Sequence, residues 1–72
     1  MIRYTDHAED RMAERGVTKE DVQQALRRRI QVTPGPPGKL WVWGYAQHGR
    51  VLKVGVSSHD QELVTTVAWP GD

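Results

Sequence analysis

The stretch Thr5-Asp6-His7-Ala8-Glu9-Asp10-Arg11-Met12-Ala13-Glu14-Arg15-Gly16-Val17-Thr18 constrains the fold more than any other part of the chain. Thr5 or Asp6 offers a side-chain oxygen to the orphan N–H groups of a helix's first turn. Asp6, Glu9 and Asp10 sit where a helix dipole favours negative charge. Ala8 and Met12 are four apart and share a face. Gly16 suits the left-handed position just past a last helical turn. Thr18 then caps a second helix, with Asp21 three residues on as a weak capping box. Val22, Ala25 and Leu26, extended by Ile30, form its apolar stripe. Arg27, Arg28 and Arg29 stand at its C-terminal end, where the dipole favours cations.

Thr33-Pro34-Gly35-Pro36-Pro37-Gly38 reads as a loop, because its prolines remove backbone donors and its glycines permit unusual turns. It divides a helical half, residues 5–30, from antiparallel strands in residues 39–69. Leu40 to Ala46, Val51 to Val56 and Leu63 to Trp69 alternate as strands. Ile2-Arg3-Tyr4 is short and can also be extended. The expected architecture is α+β: two N-terminal helices packed on one face of a small antiparallel sheet of three to four strands.

Register decides what the aromatics are for. A two-residue turn at His48-Gly49 sets Tyr45 against Leu52, Trp43 against Val54 and Trp41 against Val56. All six then share one bulky apolar face, which should lie beneath the helices. The opposite face carries Leu40, Val42, Gly44, Ala46, Val51, Lys53, Gly55 and Ser57. On this register the aromatic stripe is core. The competing reading, a base-stacking platform, requires the stripe to be open to solvent. A two-residue turn at Asp60-Gln61 would send Thr65, Val67 and Trp69 to the core face, and a longer loop would reverse this.

At 72 residues the chain makes one domain, 1–72. A domain of this size buries about 60% of its unfolded surface, so a homodimer or a protein partner would help stabilise it. No cysteine is present, which excludes disulfides and thiolate metal sites and favours a cytoplasmic protein. No apolar run reaches the roughly 20 residues of a membrane span, so no membrane partner is expected. The N-terminus has no apolar signal region. A formal charge of +1 is low for a dedicated nucleic-acid binder, although local patches outweigh the sum.

His7, Arg11 and Arg15 step by four along the first helix and form a stripe that slants about 40° per step. Their arginine forks suit phosphate, and His7 suits general acid or base work near neutral pH. The plainer alternative is that His7 packs near the helix start and the arginines pair with Asp10, Glu14 or the sheet. Arg50, Lys53 and His59 gather in the hairpin region, where a cation can hold an RNA phosphate or simply solvate a sheet face. His7, His48 and His59 lack metal-ligand spacing, and no phosphate-cradling glycine loop or nucleophile elbow is present, so neither metal nor cofactor is expected.

The pattern His7-Ala8-x-x-Arg11-Met12-x-x-Arg15-Gly16-Val17-Thr18-x-x-Asp21-Val22, with Gly49-Arg50-Val51-Leu52-Lys53-Val54 and Val64-Thr65-Thr66-Val67-Ala68-Trp69-Pro70, resembles domain of unknown function family 4258. The resemblance implies two helices followed by a small antiparallel sheet, a layout similar to the RelE/ParE and BrnT toxins. Those ribonuclease toxins cleave RNA without metal, the RNA's own 2′-hydroxyl being the nucleophile. On that likeness His7, Arg11 and Lys53 are the candidate catalytic residues, and Arg15, Arg50 and His59 the candidate RNA contacts. The implied partners are RNA and an antitoxin protein. The low net charge departs from the more basic toxins. Two readings follow: a metal-independent endoribonuclease of a toxin–antitoxin pair, and a non-catalytic protein-interaction module on the same scaffold.

Overall fold

The computed structural model describes residues 1–71. The chain runs β1 (Arg3–Tyr4), α1 (Asp6–Arg15), α2 (Lys19–Arg27), β2 (Arg29–Pro34), β3 (Lys39–Tyr45), a short 3₁₀ turn (Gln47–Gly49), β4 (Val51–Ser57) and β5 (Leu63–Ala68). Both helices begin, and α1 also ends, where their caps dictate. The Thr5 hydroxyl accepts from the Ala8 amide at 3.1 Å. Gly16 adopts φ 65°, ψ 33° and closes α1. Thr18 and Asp21 form a reciprocal capping box, each side chain accepting the other's backbone N–H at 3.0 Å.

The sheet corrects the expected architecture. It has five strands in the order β1-β5-β4-β3-β2, and it is mixed rather than antiparallel, because β1 pairs in parallel with β5. Arg3 donates to the Glu62 carbonyl and Thr5 to that of Val64, so two N-terminal residues add an edge strand to the last one in the sequence. Strand β2 occupies residues assigned to the helix end and the proline loop. Helix α2 stops at Arg27, and Ile30 then belongs to the strand. Ile30, Val32 and Thr33 are β-branched and prefer a pleated surface. Pro34 is tolerated because β2 is an edge strand.

The register of β3 is also one residue from the expected one. The β3–β4 connection uses three residues, Gln47–Gly49, instead of two, with the Ala46 amide donating to the Arg50 carbonyl at 2.7 Å. Tyr45 consequently pairs with Val51, Trp43 with Lys53 and Trp41 with Gly55. Strand β4 keeps its expected sense, with Leu52, Val54 and Val56 fully buried. Strand β3 is turned over: Val42 and Gly44 face the helices and the aromatics face away.

The physical reason lies under α2. A Cβ at Gly44 would stand 1.9 Å from the Ala25 carbonyl oxygen, so the helix backbone rests directly on the strand. Alanines at Ala8 and Ala25, both fully buried, keep the helices close to the sheet. The β3 tryptophans on this side would hold α2 away. In β5, Val67 and Trp69 are buried, as on the expected face, but Val64 takes the place expected for Thr65. A bulge opposite Gly55 and Val56 changes the alternation there, and the Thr65 hydroxyl donates to the Gly55 carbonyl at 3.2 Å.

Gly44→Ala should therefore destabilise the protein by about 3 kcal/mol, at the upper end for overpacking, because backbone is what it meets. Equilibrium urea denaturation measures this, and Gly38→Ala provides a comparison with no nearby atoms, its own cost arising from the positive φ of 83°.

Candidate functional site

The face turned away from the helices carries the aromatics. Trp41 and Trp43 are half-buried and Tyr45 is 41% exposed. The Lys53 ammonium lies 4.3 Å from the Trp41 ring centre and 5.3 Å from that of Trp43. Each such contact contributes about 0.5–2 kcal/mol, depending on its exposure to water. A Cβ at Gly55 would come within 3.0 Å of the six-membered ring of Trp41, and one at Gly35 within 3.2 Å of its indole nitrogen. The indole thus lies across the strands between two glycines that make room for it. Trp43 is fixed by its indole N–H, which donates to the Thr33 hydroxyl of β2 at 3.1 Å.

The sequence-derived candidates are spread over both sides of the sheet. Lys53 is on the aromatic face. His7 is exposed on the first turn of α1, and Arg11 pairs with Glu14 one turn on, at 2.6 Å. Helix α1 packs through Ala8 and Met12 on the other side of the sheet, so His7 and Arg11 are not brought together with Lys53. Arg15 donates to the Val67 carbonyl at 2.7 Å and ties α1 to β5. Arg50 stacks on Trp69 with its guanidinium 3.8 Å from the ring centre. His59 is exposed in the β4–β5 loop, its backbone amide donating to the Ser57 hydroxyl at 3.2 Å.

The sequence reading favours burial for Trp41, Trp43 and Tyr45, with a base-stacking platform as the alternative, and Thr33 is not among its candidates. A signal for them was present in Gly44, between two aromatics of one strand. A strand-interior glycine often marks a close backbone approach, and at Gly44 that approach is the Ala25 carbonyl, which leaves Trp43 and Tyr45 on the opposite face.

A second polar feature stands on the helix side. Asp21 is buried, and its two carboxylate oxygens accept the backbone amides of Thr18, at 3.0 Å, and Gln47, at 3.1 Å. It therefore clamps the start of α2 to the turn carrying His48 and Arg50. Burial alone would raise this carboxyl's pKa. The backbone hydrogen bonds from Thr18 and Gln47, the Thr18 side chain and the charge of His48 together outweigh burial and leave it below the ordinary aspartate value.

A carboxyl lowered by folding contributes stability that is complete above its unfolded pKa and is lost as pH falls through its folded value. Asp21→Asn should cost about 1–2 kcal/mol near neutral pH. It should also reduce the loss of stability on acidification, as read from urea denaturation near pH 7 and near pH 3.

Among the described residues, no helix is long and apolar enough to cross a membrane. No curated protein and no solved structure gives a significant match to this sequence. The pattern of a domain of unknown function, DUF4258, matches residues 4–69, and the chain belongs to that family.

Proposed function

We propose that this protein binds single-stranded RNA on the sheet face bearing Trp41, Trp43, Tyr45 and Lys53. The observation that carries this reading is a lysine held against two indoles on the face that neither helix covers. Proteins that hold single strands combine aromatic platforms for the bases with cations for the phosphates. Here Lys53 supplies the charge, the indoles and the Tyr45 ring supply stacking surface, and Thr33 and Gln31 of the neighbouring strand supply polar groups beside Trp41 and Trp43.

The finer form of the reading is a cytoplasmic, metal-independent endoribonuclease of a toxin–antitoxin pair. It rests on the toxin-like layout that the sequence motifs imply by resemblance, and its cytoplasmic part on the absence of cysteine. In that form His7, Arg11 and Lys53 are the catalytic residues, with His7 the general acid or base, and Arg15, Arg50 and His59 contact the RNA. Because His7 and Arg11 lie across the sheet from Lys53, binding stands on firmer geometry than cleavage. A second reading, a protein-interaction module, is favoured by edge strand β2, where Ile30 is 54% and Val32 45% exposed. Strand addition at that edge suits an antitoxin segment or a second copy of the chain.

Tryptophan fluorescence quenching by an unstructured oligoribonucleotide tests the binding. Trp43→Ala should weaken it by about 5- to 150-fold, the range of one base–aromatic stack. Lys53→Gln should weaken binding and reduce the slope of log affinity against log salt by about 0.7. Unchanged affinity in both variants would leave the RNA reading without support. Cleavage of the same oligonucleotide in the presence of a chelator, lost in His7→Ala and Arg11→Ala, would support the endoribonuclease form. Co-elution with a protein partner that Ile30→Lys abolishes would support the module.

A further inference from the structure

On the helix side, α1's C-terminal end, α2's first turn and the β3–β4 turn enclose a cleft of about 320 Å3. Thr18, Asp21, Gln47, His48, Arg50 and Trp69 line it. We propose that this cleft is a phosphoryl-binding site, independent of the tryptophan face, with Arg50 as its principal ligand.

The state of its charges carries the argument. Among the described residues, Asp21 is the only carboxylate lining the cleft, and each of its oxygens accepts one backbone amide. Among the described residues, Arg50 has neither an ion pair nor a side-chain hydrogen bond. Its guanidinium instead lies over Trp69. Trp69 is itself fixed, 8% exposed, with its indole N–H donating to the Arg15 carbonyl at 2.7 Å. An arginine stacked in this way has a defined plane, and its N–H donors lie in that plane, around the edge of the fork. Two parallel N–H groups in that geometry match two oxygens of a phosphoryl group. Among the described residues, the cleft thus sets a carboxylate held by two backbone amides against an arginine that is oriented by an aromatic ring and has no ion pair.

His48 adds a second observation. It adopts φ 61°, ψ 21°, the left-handed region, immediately before Gly49 at φ 72°. A non-glycine residue there costs about 1 kcal/mol, and glycine or asparagine is the usual occupant of such a turn. The imidazole in this position lines the cleft beside Arg50 and can offer a ring N–H to the same anion. The Gln47 amide donates to the Thr18 hydroxyl at 3.2 Å and holds the opposing wall. The volume reaches the range of small-molecule sites and exceeds what a bare phosphate fills, leaving space for an attached sugar.

Two sources share this chemistry, free inorganic phosphate and the phosphate of a nucleotide. The test titrates the isotopically labelled full chain with inorganic phosphate, with adenosine 5′-monophosphate and with adenosine, at constant ionic strength. Saturable amide shifts at residues 18 and 47–50 and at the Trp69 indole are expected with both phosphates and not with adenosine. Tighter binding of the nucleotide than of phosphate assigns the site to nucleotides, and equal binding assigns it to free phosphate. Arg50→Gln should weaken binding about tenfold or more. His48→Gly relieves the left-handed turn, so it should fold at least as stably and bind about threefold or more weakly. Shifts that chloride reproduces, or wild-type affinity in both variants, would overturn the proposal. A Trp43→Ala protein should bind phosphate normally, so this result is separable from the RNA test.

Discussion

The contact of α2 with the sheet at Gly44 governs the rest of the structure. Helix backbone and strand backbone meet there with no side chain between them. An interface that close leaves little room beside it, and the buried residues of α2, β3 and β4 there include Ala25, Val42, Leu52 and Val54. The large aromatics of β3 are consequently excluded from it. A strand exposes alternate residues on opposite faces, so Gly44 beneath the helix obliges Trp43 and Tyr45 to face away. The face available for function is therefore a consequence of how the core packs.

The fold separates two kinds of arginine and lysine. Arg15 and Arg29 donate to main-chain carbonyls and hold elements together, Arg15 reaching from α1 to β5 and Arg29 back to the end of α2. Arg3 and Arg11 pair with Asp60 and Glu14 at the surface. Lys53 and Arg50, like Lys19 over Tyr4, lie against aromatic rings and have no ion pair among the described residues. An aromatic ring orients a cation without neutralising it, so these two retain their charge for an external anion. They stand on opposite sides of the sheet, Lys53 on the tryptophan face and Arg50 in the cleft under Asp21's clamp.

Local signals in the sequence were strong wherever hydrogen bonds close within a few residues. Thr5, Gly16, Thr18 and Asp21 act within one helical turn of their partners, and each performs the expected capping role. The sense of β4 was likewise legible, because Leu52, Val54 and Val56 alternate cleanly with Lys53 and Gly55. Strand β1 was obscure for the opposite reason. Its two residues pair with β5 some sixty positions away, and nothing local to Arg3 and Tyr4 specifies that neighbour. Strand β2 was hidden behind a run of arginines that reads equally well as a helix end. The open aromatic surface is only the competing reading of the sequence because apolar bulk favours burial, whereas the site of close helix approach is marked by Gly44.

The sequence by itself determined the two capped helices, the change to strand periodicity after the proline-rich segment, and membership of one family. Those properties depend on side chains acting on their own neighbourhood. Only the tertiary structure decided which face of β3 is free, that the last strand recruits the first, and that Asp21 joins α2 to the turn bearing His48 and Arg50. Each of these rests on one residue more or less in a turn and on contacts between distant segments. A single-residue change of register reverses every side chain of a strand while leaving its local pattern unchanged.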